Sequence, residues 1–145
     1  MNKSFILNAH QIAGTIWQGA LPVQQPWAVR GMKFDLLVTA VPPDPRGYGV
    51  PVIHAPLTDD AFGIVKGDWR RAWLAAQAVC ASARRKQKVL VCCAEGRNRS
   101  GLIVGIALQQ LYGLSGAEVI AKIQSRRPQS LTNWHFCEAL REAFP

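Results

Sequence analysis

The residues that could do chemistry in this chain are concentrated in one short segment, CAEGRNRSG, which runs from Cys93 to Gly101. Its thiol and the guanidinium of Arg99 lie six residues apart, and Gly96 between them allows a tight curve that turns backbone N–H groups inward around an anion. A cysteine in that field loses its proton more readily, and the planar fork of Arg99 matches two phosphate oxygens. The segment therefore predicts a tetrahedral oxyanion held beside a sulfur nucleophile.

A second chemical feature is a pair of adjacent carboxyl groups, Asp59 and Asp60, at the end of the segment APLTDD. A carboxylic acid beside a bound phosphate ester can protonate the leaving group, and the resulting carboxylate can activate water. Either aspartate has the right chemistry for this role, and both follow directly on an apolar segment. The site requires that this pair and the thiol segment come together in the fold.

The elements that must position these groups follow from hydrophobic patterning. Apolar segments typical of buried strands lie at Phe34–Val41, Val52–Ala55 and Val89–Cys92. Helices are predicted at about Asp68–Arg85, Gly101–Gly113, Gly116–Arg126 and Asn133–Ala143. With one further strand before the first helix, the order is β-β-β-α-β-α-α-α, which predicts an α/β fold with a central, mainly parallel sheet flanked by helices.

This topology predicts where the chemical groups meet. Val52–Ala55 and Val89–Cys92 are joined through a helix, so we expect parallel strands with a right-handed crossover whose ends lie side by side. The carboxyl ends of such strands open at one edge of the sheet, where ligands of α/β proteins bind. Side chains alternate along a strand, so Cys93 should face the loop while Cys92 faces the opposite side.

The composition of the whole chain limits the function classes further. At 145 residues and 49% hydrophobic residues, we expect one folded domain over residues 1–145. Without an export signal or a run of apolar residues long enough to cross a membrane, we expect a cytoplasmic protein whose four cysteines are reduced thiols. The net charge of +8 favours anionic partners. We expect Arg126 and Arg127 to be a solvated helix end.

The spelling CAEGRNRS resembles the CxxxxxRS signature of the cysteine-dependent protein tyrosine phosphatases, and its surroundings resemble the small dual-specificity branch. The similar segments follow in order along the chain: TIWQGALP, PLTD, VLVCC and SRRPQSLTNWHFCEALREAF. The resemblance implies the fold of that superfamily and a hydrolase acting on a phosphorylated protein or another phosphomonoester. It implies no metal and no cofactor, and a loop that also accepts inorganic phosphate or sulfate.

The resemblance also implies a role for each site residue. Cys93 attacks phosphorus to form a phosphocysteine, and Asp59, which follows Pro56 at the family spacing, is the general acid, with Asp60 as its rival. Ser100 matches a hydroxyl that stabilises the departing thiolate. The phosphate oxygens are held by Arg99 and by the loop backbone of Ala94, Glu95, Gly96, Arg97 and Asn98.

Two loop residues depart from the family pattern, and two alternative functions stay open. Cys92 stands where the family usually has a histidine that helps to keep the thiol acidic, and Glu95 repels acidic substrates unless Arg97 or another base neutralises it. An RNA 5′-triphosphatase is favoured by the Asn98–Arg99 pair and the positive charge, which leave nucleic acid as a second, less favoured partner. A non-enzymatic phosphate-binding module is the other alternative.

Overall fold

The computed structural model describes residues 7–145, which contain five strands and five helices. The strands are β1 (Ala9–Ala13), β2 (Ile16–Ala20), β3 (Leu36–Thr39), β4 (Val52–His54) and β5 (Val89–Cys93). The helices are α1 (Trp27–Gly31), α2 (Asp68–Arg84), α3 (Arg99–Tyr112), α4 (Gly116–Arg126) and α5 (Trp134–Ala143). Helices α2 to α5 therefore confirm the predicted ones, with α3 beginning two residues earlier than expected.

The N-terminal part of the chain departs from the predicted pattern. The pattern omitted one strand of the hairpin β1–β2 and the whole of α1. The hairpin was hard to read because its polar and apolar residues do not alternate cleanly, and its turn depends on Gly14 at a φ of 54°. Helix α1 has five residues, which is too short for helical periodicity to be visible.

The sheet has the strand order β1-β2-β5-β3-β4, and only β1 is antiparallel to its neighbour. The prediction of a mainly parallel sheet is therefore confirmed. The prediction that β4 and β5 end side by side is wrong, because β3 pairs with both of them. The physical reason is burial: all residues of β3 are buried, as in a central strand, whereas β4 is a short, partly exposed edge.

Strand β5 separates two apolar clusters. Val89, Val91 and Cys93 face the larger cluster, which fills the space between the sheet and helices α2 to α5. Leu90 and Cys92 face the smaller cluster on the other side, beside Val29 of α1. This alternation confirms that the two adjacent cysteines point in opposite directions.

Helix α3 runs through the middle of the larger cluster, and every residue from Ser100 to Leu108 is buried. A helix that is apolar on all sides needs such a position, because no face of it can be left in water. Within residues 7–145 no single helix has the length and composition to cross a membrane. Helices α3 and α4 have that length and composition only when taken together, as a pair bent by 118°. Because the start of α3 is buried, the thiol segment that joins it to β5 is held at the carboxyl end of the sheet.

Candidate active site

The thiol, the arginine and one of the two carboxyl groups line a common cleft. Residues 94–98 form the loop between the last residue of β5, Cys93, and the first residue of α3, Arg99. Above this loop lies a cleft of about 290 Å³. Its walls are Asp59, Cys93, Ala94, Glu95, Arg97, Asn98, Arg99 and Thr132. The parallel strands thus bring the segments together although β3 lies between β4 and β5.

The carbonyl groups of loop residues 95–97 are engaged on the side away from the cleft. Arg127 donates to the carbonyls of residues 95 and 96 at 3.0 and 2.7 Å. Gln18 donates to that of residue 96 at 3.1 Å, and the N–H of Leu131 donates to that of residue 97 at 3.2 Å. In the described chain, no backbone N–H of residues 94–98 donates to a protein acceptor. These N–H groups are thus left for an anion, as a phosphate nest requires.

Gly96 is required at its position for two physical reasons. Its φ of 68° lies in the left-handed region, where a side chain is disfavoured. A Cβ there would also lie 2.3 Å from the carbonyl carbon of Gly19, because the loop packs directly on the backbone of β2. The tight curve predicted from the sequence is therefore made by contact with the sheet as well as by the glycine itself.

The thiol of Cys93 is buried at the floor of the cleft, where the hydroxyl of Ser100 is its polar neighbour among residues 7–145. Its Sγ lies 3.3 Å from the Oγ of Ser100, which is buried in the first turn of α3. The hydroxyl predicted to stabilise a thiolate is therefore within reach of the sulfur. Cys92 is different, because burial raises the pKa of its thiol well above the usual value. That thiol stays protonated on the other face of the sheet.

The positive end of α3 faces the same space. Asn98 is the N-cap residue of this helix, yet its side chain makes no capping hydrogen bond. The uncapped first turn leaves its N–H groups and the helix dipole free to act on an anion. Arg99 begins the helix, and its guanidinium pairs with no carboxylate among the residues that the structure describes. Both features suit a bound phosphate.

The charge of Glu95, which departs from the family pattern, has a partner nearby. Its Oε2 lies 3.3 Å from the Nε of Arg97, and both side chains are exposed at the rim of the loop. This is the neutralising base that the sequence analysis required. The described residues contain no group of three or more His, Cys, Asp or Glu side chains arranged to hold a metal ion.

The carboxyl group of Asp59 is held over the loop by two amide side chains. Its Oδ2 accepts from the Nδ2 of Asn98 at 2.9 Å, and its Oδ1 accepts from the Nδ2 of Asn133 at 2.9 Å. Asn133 is also the N-cap of α5, where it accepts from the N–H groups of residues 135 and 136. One residue thus couples the start of a helix to the position of the carboxyl group.

Asp60 has a different position. Its Oδ1 accepts from the N–H of Phe62 at 2.7 Å, which is a local turn, and its side chain does not line the cleft. Helix α2 holds the residue just before this pair, because the carboxylate of Asp68 accepts from the N–H of Thr58 at 2.7 Å. Of the two neighbouring aspartates, Asp59 is therefore the one that reaches the loop.

Sequence reasoning missed three residues of this site and misjudged one of them. Arg127 is fully buried behind the loop, not part of a solvated helix end, whereas Arg126 is exposed. The reason is backbone direction: α4 ends at Arg126, and Arg127 leaves the helical conformation with φ −137° and ψ 85°. Pro128 after the pair was a signal for that helix end. Gln18 and Asn133 carried no comparable signal.

Comparisons with known proteins agree with this geometry. No protein-family model matches the sequence, and no curated protein matches it. Among solved structures, human DUSP28 superposes with a TM-score of 0.77 and 22% identity over 98% of each chain. The chain has the cysteine phosphatase fold. Tk-PTP in its active form is also similar, with a TM-score of 0.79 and 24% identity over 93% of this chain and 95% of that chain.

A third structure with this cysteine phosphatase fold is PTPMT1 in complex with PI(5)P. It has a TM-score of 0.75 and 21% identity over 93% of each chain. The three similarities cover nearly the whole length of every chain compared, so the fold resembles theirs as a unit. At identities this low the similarity shows only the fold, so the chemistry is inferred from the residues of the cleft.

Proposed function

We propose that this chain is a cysteine-dependent phosphatase of the protein tyrosine or dual-specificity type, which hydrolyses phosphomonoesters through a phosphocysteine intermediate. The observation that carries the proposal is the loop behind Cys93, whose carbonyls at residues 95–97 are all bonded on the far side. These carbonyls are therefore not available as acceptors in the cleft, whereas the backbone N–H groups of residues 94–98 have no protein acceptor among the described residues. Arg99 and Asp59 line that same cleft. Together these groups match the requirements of phosphoryl transfer to sulfur.

In the first step the thiolate of Cys93 attacks phosphorus. A phosphorus–sulfur bond forms while the bond between phosphorus and the ester oxygen breaks, and that oxygen takes a proton from Asp59. The loop N–H groups and the guanidinium of Arg99 hold the other phosphate oxygens, whose charge they stabilise in the transition state. The products of this step are the free alcohol or phenol and the phosphocysteine.

In the second step water attacks the phosphocysteine. Asp59, now a carboxylate, takes a proton from the water, and the sulfur leaves phosphorus as a thiolate. The Oγ of Ser100, 3.3 Å from the sulfur, donates to that departing thiolate. Inorganic phosphate is released, and Asp59 is again protonated for the next cycle. The three groups therefore return to their starting states, with water as the only added reactant.

The substrate class that we propose is phosphorylated protein, with phosphate on tyrosine, serine or threonine. The support is the polar wall of the cleft, which offers donors to a phosphate but few surfaces to a large apolar ligand. The net charge of +8 favours acidic segments of a partner protein. The Glu95–Arg97 pair removes the repulsion that an unpaired carboxylate at the rim would cause.

The proposal is tested by trapping the intermediate and comparing substrates. Rapid acid quench of the protein with a ³²P-labelled aryl phosphate should leave label on Cys93, which is identified by peptide mapping. Phosphotyrosine and phosphoserine peptides should then be hydrolysed faster than a γ-labelled triphosphate RNA of equal concentration. Faster release from the RNA would establish the RNA 5′-triphosphatase instead. Stoichiometric binding without turnover would establish a phosphate-binding module.

A further inference from the structure

Gln18 is a polar residue with no solvent exposure on β2, one of the central strands. We propose that Gln18 is a positioning residue: its amide directs the hydroxyl proton of Ser100 onto the sulfur of Cys93 and so stabilises the thiolate. The inference rests on the proposed function, because it deepens the account of how this nucleophile is activated. Gln18 itself touches neither the substrate nor the reacting sulfur.

The amide nitrogen of Gln18 is surrounded by oxygen atoms. Its Nε2 lies 3.1 Å from the carbonyl oxygen of Gly96 and 3.4 Å from that of Arg97. It lies 3.2 Å from the Oγ of Ser100 and 3.0 Å from the Oγ of Ser130. Two of these neighbours are carbonyls, which can only accept, so the group facing them must be the NH₂ and not the oxygen of the amide.

The other end of the side chain offers no alternative to this orientation. The Oε1 of Gln18 is buried and has no donor among the residues that the structure describes. A buried acceptor without a partner is unfavourable, and rotating the amide by 180° would leave the NH₂ there and bring the oxygen against the carbonyls of the loop. The four oxygens around Nε2 therefore determine which way the amide points.

This orientation decides where the hydrogen of Ser100 goes. An amide NH₂ offers hydrogens and no acceptor, so the hydroxyl of Ser100 cannot donate to Gln18 and must turn its own hydrogen away from it. In the described part of the chain, the other polar neighbour of that hydroxyl is Cys93, with 3.3 Å between Oγ and Sγ. The hydrogen is thus directed at the sulfur, and each bond polarises the next along the series from Gln18 through Ser100 to the thiolate.

Gln18 is required for this bond more than for the shape of the loop. Without its side chain, the carbonyl of residue 96 keeps its bond from Arg127, and that of residue 97 keeps its bond from Leu131. The hydroxyl of Ser100 would lose the donor that fixes its direction. Cys92 stands where the resemblance implies a histidine that keeps the thiol acidic, so a donor relay through Gln18 offers another route to the same result.

The test measures the ionisation of Cys93 directly. Gln18→Met has a similar length and no donor, and the rate of iodoacetamide alkylation at Cys93 is followed against pH by mass spectrometry. We expect the midpoint of the alkylation curve to rise by about one pH unit. At a pH below both midpoints, this corresponds to roughly tenfold slower alkylation. In the Ser100→Ala background the same substitution should change nothing further, because the relay is already broken.

Ser130→Ala is the matched control, since it removes another oxygen around Nε2 without touching the relay to sulfur, and its midpoint should stay at the wild-type value. An unchanged midpoint in Gln18→Met would overturn the inference. So would an equal shift with and without Ser100, because Gln18 would then act through the loop. Should Gln18→Met not fold, Gln18→Leu, which also lacks a donor and carries no charge, takes its place, and an unmoved midpoint there would count against the relay.

The alkylation midpoint does not depend on turnover. A chain that hydrolyses no phosphomonoester but shows the Gln18-dependent midpoint would contradict the proposed function alone. A chain that forms a phosphocysteine but shows no effect of Gln18 would contradict the relay alone.

Discussion

The loop between β5 and α3 has one side that faces the cleft and one that faces the protein interior, and the two sides are formed by different kinds of residues. The side that faces the cleft is formed mainly by consecutive residues, Cys93 to Arg99, with Asp59 as the remote carboxyl group. The side that faces the protein is held by Gln18, Arg127 and the backbone of Leu131, which are far apart in the chain. The first side carries the reacting groups, and the second decides which way the peptide groups between them point.

The protein-facing side also contains a buried charge. Arg127 is buried and pairs with no carboxylate in the part of the chain that the structure describes. Burial lowers the pKa of its guanidinium, and a thiolate at Cys93 acts in the opposite direction. Its partners are carbonyl oxygens and a histidine ring. The buried charge therefore both orients the loop and adds positive potential near the nucleophile.

The largest expected effect is on the cleft side. Cys93→Ser should reduce hydrolysis of p-nitrophenyl phosphate by about 10⁴-fold or more, because the alcohol is a far weaker nucleophile than the thiolate. Binding of a phosphate ester should be largely retained, as measured by isothermal titration calorimetry. Cys92→Ser is the matched control, and it should keep most of the activity because that side chain faces the other apolar cluster. A dead Cys92→Ser with an active Cys93→Ser would reverse our assignment of the nucleophile.

The next effect concerns the carboxyl group that completes the cleft. Asp59→Asn should slow hydrolysis of phenyl or alkyl phosphates by about 10²–10⁴-fold, since these leaving groups need a proton. Activated aryl phosphates should be slowed much less, and the basic limb of the pH–rate profile should flatten. Asp60→Asn should do neither, because its side chain bonds within a local turn. Leaving-group dependence in Asp60→Asn would shift the acid by one residue.

An intermediate effect is expected on the protein-facing side. Arg127→Met leaves the carbonyl of Glu95 without its donor and removes one of the two donors to that of Gly96. We expect kcat/KM to fall by about 10²-fold through misplacement of the loop, and the free energy of unfolding to fall by about 2–3 kcal/mol. Urea unfolding and steady-state kinetics measure both. Arg126→Met, at the exposed neighbour, should change neither by much, and a similar loss there would mean that general charge is what matters.

The smallest effect is a pH dependence at the edge of the same network. The Nδ1 of His10 lies 2.8 Å from the Nη1 of Arg127, so the ring must be neutral to accept that bond. Desolvation lowers the pKa of His10 below its ordinary 6.5, and the positive charges of Arg127 and Arg126 lower it further. The unfolded chain therefore binds this proton first as pH falls, so stability is fully present above about pH 6.5 and decreases below it.

This dependence can be measured by urea unfolding between about pH 8 and pH 5, a range that brackets the ordinary histidine pKa. His10→Gln, which keeps an acceptor but does not titrate, should show a smaller loss of stability over the acidic part of that range than the wild type. His54→Gln is the control, because His54 is an exposed histidine on the edge strand β4. If the free energy of unfolding of His10→Gln depends on pH as that of the wild type does, the His10 ring does not contribute to holding Arg127.

The fold could be predicted where a single element carries its own pattern. The helices after β4 have clear periodicity and end signals, including the capping box of Ser115 and Glu118, which is present. The alternation of Cys92 and Cys93 followed from strand geometry alone. The order of strands was not predictable, because β3 and β4 are both short apolar segments and only packing decides which one lies next to β5. The five-residue helix α1 was missed for lack of periodicity.

By itself the sequence determined the chemical groups of the cleft and their order, since a thiol, a curved loop, an arginine and a helix start need only neighbouring residues to form. Tertiary structure alone decided that Gln18 and Arg127 lie behind this loop, and it brought Asp59, which the family spacing had favoured over Asp60, to the cleft. The physical reason is that hydrogen bonds between residues 78 or 31 positions apart depend on how strands and helices pack, and nothing in the linear pattern of a glutamine or an arginine records its partner.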